Sequence, residues 1–245
     1  MPTTIAPVAI SFPTDDGLTL AADRWGEGER VVLLFHGGGQ TRHAWGGAAE
    51  RLAQAGWCAY TIDQRGHGES DWHPDGDYRI DRFAEDVRGI CRSFPTPPAV
   101  VGASLGGISS LIAQGECDET ILSALVLVDI TPRVEKAGVE RIINFMAEKA
   151  ETGFATLEEC ADFVASYLPH RKRPKDLSGL MKNLRLREDG RFYWHWDPRF
   201  VTDAERRMED RDPERMIAAA KQLRCPTLLV RGGSSDLVSE EVARE

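Results

Sequence analysis

The 245-residue sequence contains no apolar run near the roughly 18 residues that span a bilayer. Its first stretch, MPTTIAPVAI, has neither the basic segment nor the hydrophobic run of a secretory signal, so a cytoplasmic location with no membrane partner is expected. Cysteine is scarce. Cys58, Cys91, Cys117, Cys160 and Cys225 are odd in number, widely spaced and form no Cys-x-x-Cys pair, which argues against a disulfide framework or a zinc ribbon and for free, buried thiols. Positive charge is not in excess: 30 Lys and Arg stand against 39 Asp and Glu, a net charge of −9, so nucleic acid is not an expected partner. The one basic run, Arg171-Lys172-Arg173-Pro174-Lys175, reads as a solvated loop. Also missing are G-x-G-x-x-G, G-x-x-x-x-G-K-[ST] and H-E-x-x-H, the loops and helix faces that hold dinucleotides, nucleoside triphosphates and catalytic zinc. No cofactor and no metal are expected.

Hydrophobic residues at 42% and charged residues at 28% give an ordinary globular balance, and the length suits one large domain or a core carrying an insertion. Residues 7–12 and 18–24 flank an Asp16-Gly17 step and predict a β-hairpin. After it, short apolar runs alternate with amphipathic stretches. VVLLF at 31–35, CAYTID at 58–63, AVVGAS at 99–104, ALVLVD at 124–129 and PTLLVRG at 226–232 read as strands. The stretches 44–55, 81–94 and the one opened by Leu105 read as helices; Phe83, Val87, Ile90 and Cys91, for example, share one stripe. Such alternation implies right-handed crossovers and a mostly parallel α/β sheet with helices on both faces. From Pro132 to about Leu223 the strand pattern stops. Helices are predicted near 139–150, 156–168, 177–186 and 213–221, with an aromatic knot at Phe192-Tyr193-Trp194-His195-Trp196. The expected organisation is a core of 1–131 and 223–245 interrupted by a helical cap of 132–222.

Gly102-Ala103-Ser104-Leu105-Gly106 matches G-x-S-x-G where a buried strand meets a helix, so Ser104 is predicted on a sharp turn with its hydroxyl projecting above the sheet. The helix that begins there points free N–H groups and its positive end at developing negative charge. His36-Gly37-Gly38-Gly39 follows the first buried strand, and the N–H groups of Gly38 and Leu105 could together form a two-donor oxyanion hole. His36 is expected to order that loop beside the substrate pocket.

These pieces resemble the α/β-hydrolase superfamily. Phe35-His36-Gly37-Gly38, Asp63 to Ser70, Gly102 to Gly107, Leu127-Val128-Asp129-Ile130-Thr131-Pro132 and Pro226 to Gly232 cover nearly the whole chain in family order. The resemblance implies an eight-stranded sheet, a helical cap after the sixth strand, and a Ser, acid, His triad in that chain order. It implies a hydrolase that cleaves an ester or similar acyl bond of a small, largely apolar substrate, with no cofactor. Carbon–carbon bond hydrolysis, perhydrolysis and non-catalytic binding of a small ligand on the same fold are the alternatives. Ser rather than Asp at the elbow argues against epoxide hydrolase and haloalkane dehalogenase chemistry. By the same likeness Asp63–Ser70 is a structural turn and His67 a loop residue.

Two residues compete for the acid. Asp236 lies one position past the customary slot after the seventh strand, where Ser235 stands, whereas Asp129 ends the sixth, a place that some single-domain esterases use. The family's base follows an eighth strand. His36, His43, His67, His73, His170 and His195 all precede that point and the sequence stops at Glu245, so the chain is expected to be C-terminally incomplete and catalytically impaired. Of the six, only His195 could reach the cleft, and an aromatic-cluster role is expected for it. Trp194 and Trp196, with Phe192, Phe145, Met146 and Met181, are expected to roof the pocket or to form the cap's own core.

Overall fold

The computed structural model describes residues 4–167, 173, 175–202 and 212–245. In chain order its elements are β1 (Val8–Pro13), β2 (Thr19–Trp25), β3 (Arg30–Phe35), α1 (Gly46–Gln54), β4 (Trp57–Ile62), α2 (Ile80–Arg92), β5 (Ala99–Ala103), α3 (Leu105–Gly115) and β6 (Ala124–Val128). They continue with α4 (Lys136–Glu148), α5 (Leu157–Tyr167), β7 (Leu184–Leu186), β8 (Phe192–Trp194), α6 (Arg199–Thr202), α7 (Pro213–Lys221), β9 (Thr227–Val230) and α8 (Glu240–Arg244). Seven strands form one sheet in the order β1-β2-β4-β3-β5-β6-β9. The β1–β2 and β2–β4 pairs are antiparallel and the remaining four are parallel. The eighth strand implied by the resemblance has no counterpart among the described residues.

Strand β3 shows why the sheet is covered on both faces. Side chains alternate along a strand, so Val32 and Leu34 pack with Ala49 of α1, while Leu33 and Phe35 join the larger core with Phe83 of α2, Val100 and Leu125. Helix α3 carries no charged residue and is buried along its whole length. All five cysteines are free thiols, four of them buried and Cys117 half-buried.

Between β6 and β9 the structure departs from the expected run of helices. Residues 178–183 make a short 3-10 helix, and Leu184–Leu186 then pairs antiparallel with Phe192–Trp194. The aromatic knot is therefore half a hairpin, its β-prone Phe-Tyr-Trp sequence winning over the surrounding helical pattern. Phe154, Cys160 and Leu184 form a small core of their own here, with Phe163 and Trp194 packed against it. Helix α7 lies instead on α3, with Met216 and Ala219 in the main core. Backbone hydrogen bonds Asp197 N to Gly66 O (2.8 Å) and Gly68 N to His195 O (2.7 Å) tie the end of the hairpin to the loop after β4.

Candidate active site

Strand β5 runs straight into α3 with one residue between them, Ser104, at φ 44° and ψ −110°. A non-glycine residue at positive φ is costly and persists only where its surroundings fix it. Here they do. Ser104 N donates to Val128 O (3.2 Å), and Gly106 N to His36 O (3.2 Å). The glycines on either side are dictated by close approach: a Cβ on Gly102 would lie 2.5 Å from the Gly106 carbonyl, and one on Gly106 would lie 2.6 Å from Phe35 O. Leu105 opens α3, so its N–H has no acceptor within the helix, and the residue lines the same cleft as Ser104.

The loop after β3 supplies the opposite wall. Gly37 N donates to Gln40 Oε1 (3.0 Å) and Gly39 N to His67 Nε2 (3.1 Å), which fixes the peptide planes around Gly38. His36 is fully buried: its Nδ1 donates to Gly37 O (2.8 Å) and its Nε2 accepts from Gln64 N (3.0 Å). Burial pushes the pKa of His36 below the ordinary histidine value, outweighing the nearby Asp63 carboxylate, so the ring is neutral. His36 thus sits behind the loop rather than on the pocket wall where it was expected. His67 likewise has both ring nitrogens engaged, Nδ1 with Arg65 O and Nε2 with Gly39 N. Asp63 is held by the backbone N–H of Arg42 (2.6 Å) and by its guanidinium, deep under the turn.

The two candidate acids have separate surroundings. Asp129 follows β6 at φ 54°, its Oδ1 accepting from Gly232 N (2.8 Å) and its Oδ2 from Ser235 Oγ (2.9 Å), and it lines a cleft with Ser104. Ser235 Oγ in turn accepts from Leu237 N (3.1 Å) and Val238 N (3.0 Å). Asp236 is exposed and ion-paired with Arg141 on α4, away from that cleft.

Ser104 stands where two compartments meet, about 60 Å³ and about 400 Å³ in volume. Gly38, Ile142, Met146 and Leu237 border both. The smaller is lined by Leu105, Ile130, Val134, Val139, Ile143, Phe200 and Val201, the larger by Asp129, Gln40, Phe145, Val164, Tyr167, Trp194 and Trp196. Trp194 and Trp196 both line the larger compartment. Phe192 packs against the small core of Phe154, Cys160 and Leu184, whereas Met181 is solvent-exposed rather than in a roof or core. Val139, Ile142 and Ile143 also line the smaller compartment; in the sequence they mark only one apolar face of α4, a signal that by itself denotes a buried side.

No described histidine lines either compartment. His195 pairs with the Arg185 guanidinium (2.9 Å); burial and that positive charge lower its pKa. His43 is exposed, His73 accepts from Asp75 N and Asp77 N, and His170 and most of the 171–175 basic run lie outside the described residues. Among the described residues no cluster of ligating side chains could hold a metal ion, and no helix is long and apolar enough to cross a membrane.

Residues 30–245 match the sequence family described as the alpha/beta hydrolase fold. Esterase Rv0045c of Mycobacterium tuberculosis is 30% identical over 236 residues, covering 92% of this chain and 74% of its own. The 2-(acetamidomethylene)succinate hydrolase of Mesorhizobium japonicum is 28% identical over 237 residues, covering 94% and 80%. A solved structure of the M. tuberculosis esterase superposes with a TM-score of 0.74 at 26% identity, over 99% of this chain and 79% of that one.

Proposed function

The chain belongs to the α/β-hydrolase fold family and is similar to esterases and other hydrolases, and from that premise we propose that it is a serine esterase with Ser104 as nucleophile. The observation that carries this reading is the strained turn of Ser104 at the head of a buried helix, opening onto an apolar cleft. Ser104 Oγ bonds to the ester carbonyl carbon while the N–H groups of Gly38 and Leu105 hold the oxyanion. The carbonyl–alkoxy bond then breaks, the alcohol leaves with the proton given up by the serine, and water releases the acid from Ser104. Asp129 is the acid that orients the base, favoured over Asp236 by its place beside Ser104. The described residues from α4 to α6 act as the cap, over a core of 1–131 that α7 and residues 223–245 complete.

The substrate is a small, uncharged, largely apolar ester. Among the described residues no Lys or Arg lines either compartment, which disfavours a dicarboxylate of the kind named for the Mesorhizobium relative. The 245-residue chain is an impaired catalyst, because no described histidine lines the cleft beside Ser104.

A fluorophosphonate probe tests the nucleophile: a P–Oγ bond forms as fluoride leaves, and the adduct is mapped by peptide mass spectrometry. An adduct on Ser104 that is lost in Ser104→Ala is expected; modification of other residues alone overturns the reading. With p-nitrophenyl acetate the chain should retain only the oxyanion-hole contribution, about 10³ to 10⁴ over water. A fast rate abolished by Ser104→Ala would overturn the impairment.

A further inference from the structure

Building on that reading of Ser104 and Asp129, we infer that the enzyme sorts the two halves of its ester by size, a short acyl group in the small compartment and a bulky, aromatic or polycyclic alcohol in the large one. The direction of sorting follows from chemistry. The alcohol oxygen must receive a proton from the base, and the base must lie against the acid that orients it. Asp129 lines the large compartment and not the small one, so the leaving alcohol is on that side of Ser104. The acyl chain then extends the other way, past Leu105 and Ile130.

The volumes set the limits. A water-sized group needs about 10–15 Å³ of such space. The small compartment, at about 60 Å³, therefore takes an acyl chain of about four carbons. Its lining includes Val139 and Ile143 of α4 and Phe200 and Val201 of α6, all apolar, so a longer or charged chain meets hydrocarbon. The large compartment, at about 400 Å³, has Trp194, Trp196 and Tyr167 as flat walls for a ring system. Acylation forms the Ser104 Oγ–acyl bond as the acyl–alkoxy bond breaks, and the serine proton leaves with the alcohol.

The test uses p-nitrophenyl alkylphosphonates on the 245-residue protein with added imidazole as a diffusible base, so that a missing histidine does not by itself prevent the reaction. Their alkyl group takes the place of the acyl chain and nitrophenolate is the leaving group, so P–Oγ forms as P–O(aryl) breaks. Methyl, butyl and octyl members are compared by the rate at which the Ser104 peptide gains mass. Methyl and butyl are expected to react, and octyl at least about tenfold more slowly than butyl, since extra methylenes no longer find space. Ile143→Ala, which enlarges only the small compartment, should raise the octyl-to-methyl ratio, whereas Tyr167→Ala, on the other side, should not. No adduct at Ser104 even with the methyl member overturns the nucleophile reading and this inference with it. A methyl adduct accompanied by equal or faster octyl reaction overturns the inference alone, as does an octyl-to-methyl ratio that responds to Tyr167→Ala but not to Ile143→Ala.

Discussion

Ser104 and Asp129 are the two non-glycine residues with positive φ among the described residues, and each is the first residue beyond one of two paired strands, whose last partners are Ala103 and Val128. Two strained residues side by side at the carboxyl edge of a parallel sheet are what a site held by its scaffold looks like. The Ser104 turn was legible in the sequence because its constraint is local: strand, glycine, serine, glycine, helix. The surroundings of Asp129 were not, because the groups that hold it come from Gly232 and Ser235, more than a hundred residues away, and no spacing rule links them. The choice between acids can be measured with added imidazole as a diffusible base. Imidazole should accelerate phosphonylation of Ser104, and Asp129→Asn should cut that acceleration at least about tenfold by favouring the wrong ring tautomer. Asp236→Asn removes only an exposed ion pair with Arg141 and should change it less than about twofold. Equal losses in the two variants would remove Asp129 from the role.

At the scale of elements, the core helices and strands came through from periodicity within a residue or two, since each buries one face against the sheet. The hairpin of β7 and β8 was missed because three-residue strands are shorter than the window in which a period of two can be told from a period of 3.6. Helix α7 shows the limit in another way: its sequence gives a helix, but which layer receives it is set by shape. Gly115, at the end of α3, lets α7 approach so closely that a Cβ there would sit 2.3 Å from the Ala219 carbonyl oxygen. Gly115→Ala should therefore destabilise the protein by about 1–3 kcal/mol in urea unfolding, by forcing the two helices apart. Gly89 in α2 is the control, because a Cβ at that position meets nothing within 4 Å. Gly89→Ala should stabilise by about 0.5–1 kcal/mol through helix propensity. A Gly115→Ala protein as stable as the parent would mean that the α3–α7 contact is looser than described.

For the molecule as a whole, the mostly parallel sheet places the Ser104 turn at the end of an interior strand and has two unlike edges at its flanks. β1, at one edge, ends in Pro13, which has no N–H to offer a neighbour. β9, at the other, has Leu228 at 58% and Val230 at 44% exposure and carries neither a proline nor a charge. In the 245-residue chain by itself, an exposed apolar edge strand of that kind is a template for pairing with another chain, a tendency that the net charge of −9 opposes only at long range. Central strands exchange their amides through global unfolding, edge strands through local opening. The amides of β9 should accordingly exchange at least about a hundredfold faster than those of Val100 and Val101 in β5 at low protein concentration. Raising the concentration should slow β9 selectively if edges pair, and Leu228→Lys should abolish that slowing by setting a charge on the edge. Protection of β9 equal to that of β5 in a protein shown to be monomeric by sedimentation would refute the open edge.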